Sequence, residues 1–253
     1  MCNLAYASLT IAVASNFQLP LERIIEHAPQ YQLAGSRVSI KTQATEVKLV
    51  VASSGTLYSQ AVRSAPFDVV MLANQAWPQQ LVKQGLAKQT FTYAIGKLVL
   101  WPVSEPHSLQ PEQARQLLQH TPRLALANPK LAPYGAAAID YLNQSPVNWQ
   151  HKRIYAQNVS QAFQFVDSGN ANMGLLSESM LLQAAHNNAA QSAHYLRYYT
   201  IPRDLYTPIV QQLVVLTGSN NQALAQAFVT FLLSEQTQDD LSALGYLPVN
   251  KVH

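Results

Sequence analysis

The stretch Ser8-Leu9-Thr10-Ile11-Ala12-Val13-Ala14-Ser15-Asn16-Phe17 runs from an apolar strand straight into the opening of a helix. Leu9–Ala14 reads as a buried strand. Ser15 and Asn16 are residue types favoured at helix N-caps, because their side chains satisfy backbone N–H groups left without an intrahelical acceptor. Pro20–Tyr31 then repeats apolar residues at Leu21, Ile24, Ile25 and Ala28, the spacing of one helix face. The same transition recurs along the chain. Val47–Val51 leads into Ala52-Ser53-Ser54-Gly55-Thr56-Leu57, Arg123–Ala127 precedes Ala132-Pro133-Tyr134-Gly135, and Ile154–Tyr155 precedes Asn158-Val159-Ser160. A helix N-terminus carries partial positive charge and unpaired N–H groups, so it binds anions without Lys or Arg. Each segment alone has an ordinary reading as a cap or turn. Their joint occurrence at strand-to-helix junctions, where open α/β sheets bind ligands, points to a cleft for a small oxyanion.

Between these junctions, strand-like and helical patterns alternate. Val38–Lys41 and Phe67–Leu72 are strand-like, Thr56–Ser64 is helical, and Trp77–Gln84 is a helix stopped by Gly85. A second set contains strands at Lys97–Val103, Arg123–Ala127, Ile154–Tyr155 and Met173–Leu176. Its helices are Pro111–His120, Tyr134–Asn143, Ser160–Asp167 (ended by Ser168-Gly169) and Met180–His186. The β-rich run Tyr206–Leu216 and the helical Asn221–Glu235, continued by Gln236–Ala243, return to the first set. This order predicts an α/β fold with two lobes, each a mostly parallel sheet flanked by helices. The first lobe takes residues 8–92 and 205–253, the second residues 93–204. Crossings near 90–95 and 203–208 would form a two-strand hinge.

The composition narrows the function. With 253 residues and 48% hydrophobic content, the chain can bury a large core. Charged residues are 11% and the formal net charge is +3, with no Lys/Arg run or basic aromatic stripe for nucleic acid. Cys2 is the sole cysteine, which excludes an intramolecular disulfide and a cysteine-based zinc cluster. No apolar stretch approaches a membrane-spanning length. Ala5-Tyr6-Ala7 matches a small-x-small cleavage pattern. The expectation is therefore the stump of a signal peptide, cleaved after Ala7, on an exported protein.

Enzyme motifs are absent. The sequence has no phosphate-binding G-x-x-x-x-G-K-[ST], no G-x-G-x-x-G, no H-E-x-x-H and no G-x-S-x-G elbow, and its seven histidines are scattered. No catalytic residue, cofactor or directly coordinated metal is assigned.

These segments resemble the molybdate-binding proteins of bacterial ABC importers, a periplasmic solute-binding family. The resemblance runs from about Thr10 to about Pro248. It is carried by Ala12–Phe17, Ala52–Tyr58, Ala65-Pro66-Phe67-Asp68-Val69, Leu126–Gly135, Gln157-Asn158-Val159, Tyr206-Thr207-Pro208-Ile209 and Gly245-Tyr246. Its most specific piece is Asn128-Pro129-Lys130-Leu131-Ala132-Pro133-Tyr134-Gly135. The resemblance implies a type II-like two-lobed binding-protein fold and a molybdate or tungstate ligand held by neutral donors. Ser15 and Asn16 would supply backbone and side-chain donors from one lobe, and Ser54 its hydroxyl and N–H. Tyr134 and Val159 would supply mainly backbone N–H groups from the other. It further implies a monomer, with a permease and an ATPase as partners. Some members place a tyrosine where this chain has Ser177, so that hydroxyl donor is missing here. Gly is frequent in the family at Ala52, and Asp at Asn74. A binding protein for another oxyanion such as sulfate, and an enzyme reusing the scaffold, stand as alternatives.

Overall fold

The computed structural model describes residues 8–28, 30–33, 45–103, 109–146, 148–247 and 249. The expected strand at Val38–Lys41 and the expected cleavage site after Ala7 lie outside them.

Two sheets organise the chain. The first contains β1 (Ser8–Ala14), β2 (Tyr31–Leu33), β3 (Thr45–Ala52), β4 (Val69–Leu72), β5 (Phe91–Gly96) and β11 (Ile209–Val215), in the order β2-β3-β1-β4-β11-β5. The second contains β6 (Leu98–Pro102), β7 (Leu124–Ala127), β8 (Arg153–Ala156), β9 (Met173–Ser177) and β10 (Tyr199–Thr200), in the order β10-β6-β9-β7-β8. Both are mixed. Strands β2, β3, β1 and β4 run parallel, whereas β11 is antiparallel to its neighbours β4 and β5. In the second sheet β7 is parallel to β8 and β9, while β6 is antiparallel to β9 and β10.

Alternation along the strands explains how helices cover both faces of the first sheet. Leu9, Ile11 and Val13 of β1 pack with Leu21 and Ile24 of α1 (Gln18–Glu26), Phe228 of α9 (Gln222–Leu232) and Leu241 of α10 (Glu235–Ala243). Ala12, Val70 and Leu72 point the other way. They meet Leu57 and Ala61 of α2 (Ser54–Val62) and Leu81 of α3 (Ala76–Lys83). The second sheet has its own core. Trp101, Leu126 and Leu175 are enclosed by Ala114 and Leu118 of α4 (Pro111–His120), Ala138 and Leu142 of α5 (Pro133–Gln144), Ala162 and Val166 of α6 (Val159–Asp167) and Leu181 of α7 (Glu178–Asn187). A short helix, α8 (Ser192–Tyr195), lies beyond α7.

The structure shifts several expected boundaries. The strand in the crossing expected near 90–95 is β5, a member of the first sheet that pairs with β11. The chain changes sheets at Lys97. The first helix ends at Glu26 instead of reaching Tyr31, which opens β2 and pairs with Thr45. The predicted stops at Gly85 and Gly169 hold: both adopt φ +74, which glycine reaches without a Cβ clash.

Candidate anion-binding site at the lobe interface

Register brings the four junctions together. In the first sheet β1 and β3 are adjacent, and their last residues, Ala14 and Ala52, are partners. In the second, β7 and β8 are adjacent, with Ala127 and Ala156 as partners. Parallel strands ending level emit their following helices side by side, so each sheet offers two adjoining junctions at its carboxyl edge.

Local sequence shapes each junction. After β1, Ser15–Phe17 form a 3-10 turn, and α1 begins only at Gln18, so this segment is not itself the first turn of an α-helix. After β3, Ser53 caps α2: its Oγ accepts from Thr56 N at 3.3 Å. After β7, a turn closed by Ala132 N donating to the Asn128 carbonyl (2.8 Å) leads into α5, with Pro133 at its start. Gly135 lies so close to β7 that an added Cβ would be 2.2 Å from the Ala127 carbonyl oxygen. After β8, Asn158 caps α6, its Oδ1 accepting from Gln161 N at 2.9 Å.

All five residues singled out by sequence are buried: Ser15 is 8% exposed, Asn16 2%, Ser54 2%, Tyr134 1% and Val159 3%. Direct bonds tie their segments across the two sheets. Ser160 Oγ, next to Val159, donates to the Ser15 carbonyl at 3.1 Å. Gly55 N, next to Ser54, donates to the Leu131 carbonyl at 2.9 Å. Ser179 Oγ donates to Tyr246 Oη (2.9 Å), and Ser177 Oγ lies 2.8 Å from Ser179 Oγ and 3.1 Å from Tyr134 Oη, giving its one proton to one of the two. Tyr246 Oη donates in turn to the Asn16 carbonyl at 2.8 Å. Asn16 Nδ2 donates to Gln211 Oε1 (3.0 Å) and Tyr246 Oη (3.1 Å).

The donors are uncharged. Ser54 Oγ accepts from Ala73 N at 2.9 Å, which occupies a lone pair and leaves its own proton to give. Among the described residues, no acceptor meets the backbone N–H of Ser54, Tyr134 or Val159, as expected for first-turn N–H groups of α2, α5 and α6. The phenols behind the site stay protonated. Burial drives Tyr134 and Tyr93 well above the ordinary value and Tyr246 up to about 12, the latter moderated by hydrogen bonds to Ser179 and Asn16. Glu178, beside Ser177, is neutralised by Lys97 at 2.5 Å. No cluster of His, Cys, Asp or Glu suited to a metal ion occurs among the described residues.

Ser15, Asn16 and Ser160 also line a cavity of about 290 Å³ between α1, α6 and α7, but Ser54, Tyr134 and Val159 do not. A groove of about 810 Å³, lined by Arg23, His27, His186 and Asp240 among others, contains none of the five. Three participants escaped the sequence reading: Ser179, Gln211 and the hydroxyl of Tyr246.

Residues 9–247 match the bacterial extracellular solute-binding protein family. This chain belongs to that family. The solute-binding chain is 32% identical to the molybdate-binding protein ModA of Azotobacter vinelandii, covering 97% of this chain and 92% of the relative. It is equally identical to ModA of Rhodobacter capsulatus, with 96% and 89% covered. Its structure superposes on the periplasmic molybdate-binding protein of A. vinelandii with a TM-score of 0.79 and 28% identity, covering 94% and 98% of the two chains. The sulfate-binding protein SubI of Mycobacterium tuberculosis, at 14% identity and TM-score 0.68, shares the fold.

Proposed function

We propose that this solute-binding protein captures molybdate or tungstate between its lobes and delivers it to an ABC-type importer. The observation that supports this reading is the set of hydrogen bonds that ties the segments after four strand ends to one another across the two sheets, Ser160 Oγ to the Ser15 carbonyl and Gly55 N to the Leu131 carbonyl among them. A dianion entering a cleft loses heavy hydration and must be met by many donors. Hydrogen bonds to a charged group contribute about 1.5–3 kcal/mol each, so six or seven offset desolvation and leave micromolar to nanomolar binding, about −8 to −12 kcal/mol. Surroundings made only of donors also disfavour hydrogen phosphate, whose O–H would face no acceptor.

In this reading Ser15, Asn16 and Ser54 donate from the first lobe and Tyr134 and Val159 from the second. Donors on both lobes make the shut form the one the ligand favours, and a permease with its ATPase would read that form. The name of the ModA relatives, molybdate-binding protein, supports the ligand, and the family's description as extracellular solute-binding proteins supports the capture role. In this reading the protein works as a periplasmic monomer with no catalytic step; Ser15, Asn16, Ser54, Tyr134 and Val159 themselves supply no acid–base pair.

Calorimetric titration with molybdate, tungstate, sulfate and phosphate tests the proposal. Micromolar or tighter binding of the first two supports it. Millimolar or absent binding of both overturns it, and preferential binding of sulfate reassigns the ligand.

A further inference from the structure

Gln211 sits in β11, on the return path from the second lobe, where the pairing with β5 shifts register between Gln211 and Gln212. Bulges of this kind re-aim side chains near functional sites. The residue is fully buried. Its Oε1 accepts two hydrogen bonds, from Asn16 Nδ2 (3.0 Å) and Tyr93 Oη (3.1 Å). Its Nε2 is buried and has no partner among the described residues. That nitrogen lies beside Gly96, as does the Tyr134 hydroxyl: a Cβ built on Gly96 would be 3.1 Å from Gln211 Nε2 and 2.1 Å from Tyr134 Oη.

The two carboxamides face a conflict. Asn16 Nδ2 is engaged by Gln211 and Tyr246, so the other end of the amide, Oδ1, is turned away from them. An acceptor oxygen is repelled by an anion, while a buried donor without a partner, here Gln211 Nε2, carries a desolvation cost. Turning both amides over resolves both problems, because the oxygen and nitrogen of a carboxamide occupy nearly the same volume. Gln211 Nε2 then donates to Asn16 Oδ1, Gln211 Oε1 turns toward the hydroxyl of Tyr134, and Asn16 Nδ2 is released.

We propose that Gln211 is a positioning residue for the oxyanion: by donating from Nε2 to Asn16 Oδ1 it holds the Asn16 carboxamide with Nδ2 turned toward the cleft, free for the anion. This rests on the oxyanion reading above.

The test is a double-mutant cycle of Gln211→Met and Asn16→Ala, read by molybdate titration. In Gln211→Met no donor replaces Nε2, while Tyr246 still accepts from the inward-facing Asn16 Nδ2, so the inward orientation wins. Affinity should fall about tenfold, the scale of one hydrogen bond to a charge. In an Asn16→Ala background the same change should alter affinity less than about twofold. Equal losses in both backgrounds, or no loss in either, overturn the proposal. A molybdate-loaded structure of the wild-type protein gives a second readout, independent of how the variants fold. An oxyanion oxygen in hydrogen-bond range of the Asn16 carboxamide, on the side away from Gln211, identifies the contacting atom as nitrogen, because the dianion has no proton to donate. An anion bound elsewhere in the cleft, out of reach of Asn16, overturns the proposal while leaving the oxyanion reading intact. Wild-type protein that binds neither molybdate nor tungstate removes the oxyanion reading and this inference with it.

Discussion

Ser54→Ala perturbs affinity and stability through two different atoms of one hydroxyl. The Ser54 side chain is buried, and its oxygen accepts the Ala73 N–H at 2.9 Å. Its proton is the part available to an anion. Removing that proton deletes one hydrogen bond to a charge, about 1.5–3 kcal/mol, which weakens molybdate binding about 10- to 150-fold. Removing the oxygen also strands the buried Ala73 N–H, at a cost of about 1–3 kcal/mol to the ligand-free fold. For a chain of this size each kcal/mol lowers Tm by about 2–4 °C, giving a drop of roughly 2–12 °C. Calorimetry measures the first effect and a thermal melt of ligand-free protein the second. A variant with lowered Tm and unchanged affinity would refute the assignment of the Ser54 proton to the ligand.

Other consequences follow from close contacts and buried phenols. Gly55→Ala places a methyl 3.1 Å from Leu131 Cα and 3.1 Å from the Trp77 ring, at the contact where Gly55 N bonds the Leu131 carbonyl. Opening the lobes relieves the contact with Leu131, so small-angle scattering should report a larger radius of gyration without ligand, alongside weaker molybdate binding; an unchanged radius and affinity would contradict it. Gly135→Ala drives a methyl to 2.2 Å from a backbone carbonyl of β7, so the start of α5 must shift and a thermal melt should show a large loss of stability. A wild-type Tm for that variant would mean the close approach is not rigid. Tyr246 is raised to about 12 by burial, and Tyr93 and Tyr134 are raised as well, so above the ordinary value of 10 the folded chain holds protons that the unfolded chain has released. Their contribution is therefore fully present below about pH 10 and is lost as pH climbs toward 12, which a Tm series across that range should record as a steady decline. A flat series would contradict it.

Much of this architecture is legible in the residues. Helix α4 has the expected bounds Pro111–His120, because a proline start and a polar break at each end bracket an apolar stripe. Leu21, Ile24 and Ile25 form the expected buried face of α1, and Ala28, past its end, is buried in the same core. The overrun to Tyr31 arose because its spacing continues that stripe, although its partner is a distant strand residue, Thr45. Strand β5 is hidden because Lys97 alone separates it from β6, and one residue between two strand-like runs does not mark where the chain changes sheets. The two-residue strand β10 is too short for any period to register.

The anion-type junctions were readable because helix N-terminal chemistry is local. Ser179, Tyr246 and Gln211 join the network through contacts 67 to 230 residues apart in sequence, which local pattern does not encode. A signal was nonetheless present for one of them. Gln211-Gln212 interrupts the apolar run Ile209–Val215, and paired amides in the middle of a buried strand demand hydrogen-bonding partners.

A crystal structure of the tungstate-loaded protein tests most directly whether neutral groups take the place of water around the anion. The account predicts oxyanion oxygens about 2.7–3.2 Å from the N–H groups of Ser54, Tyr134 and Val159 and from Ser54 Oγ, with no Lys, Arg or His in contact. An anion seated instead on cationic side chains, such as Arg23, His27 and His186 in the outer groove, would contradict it.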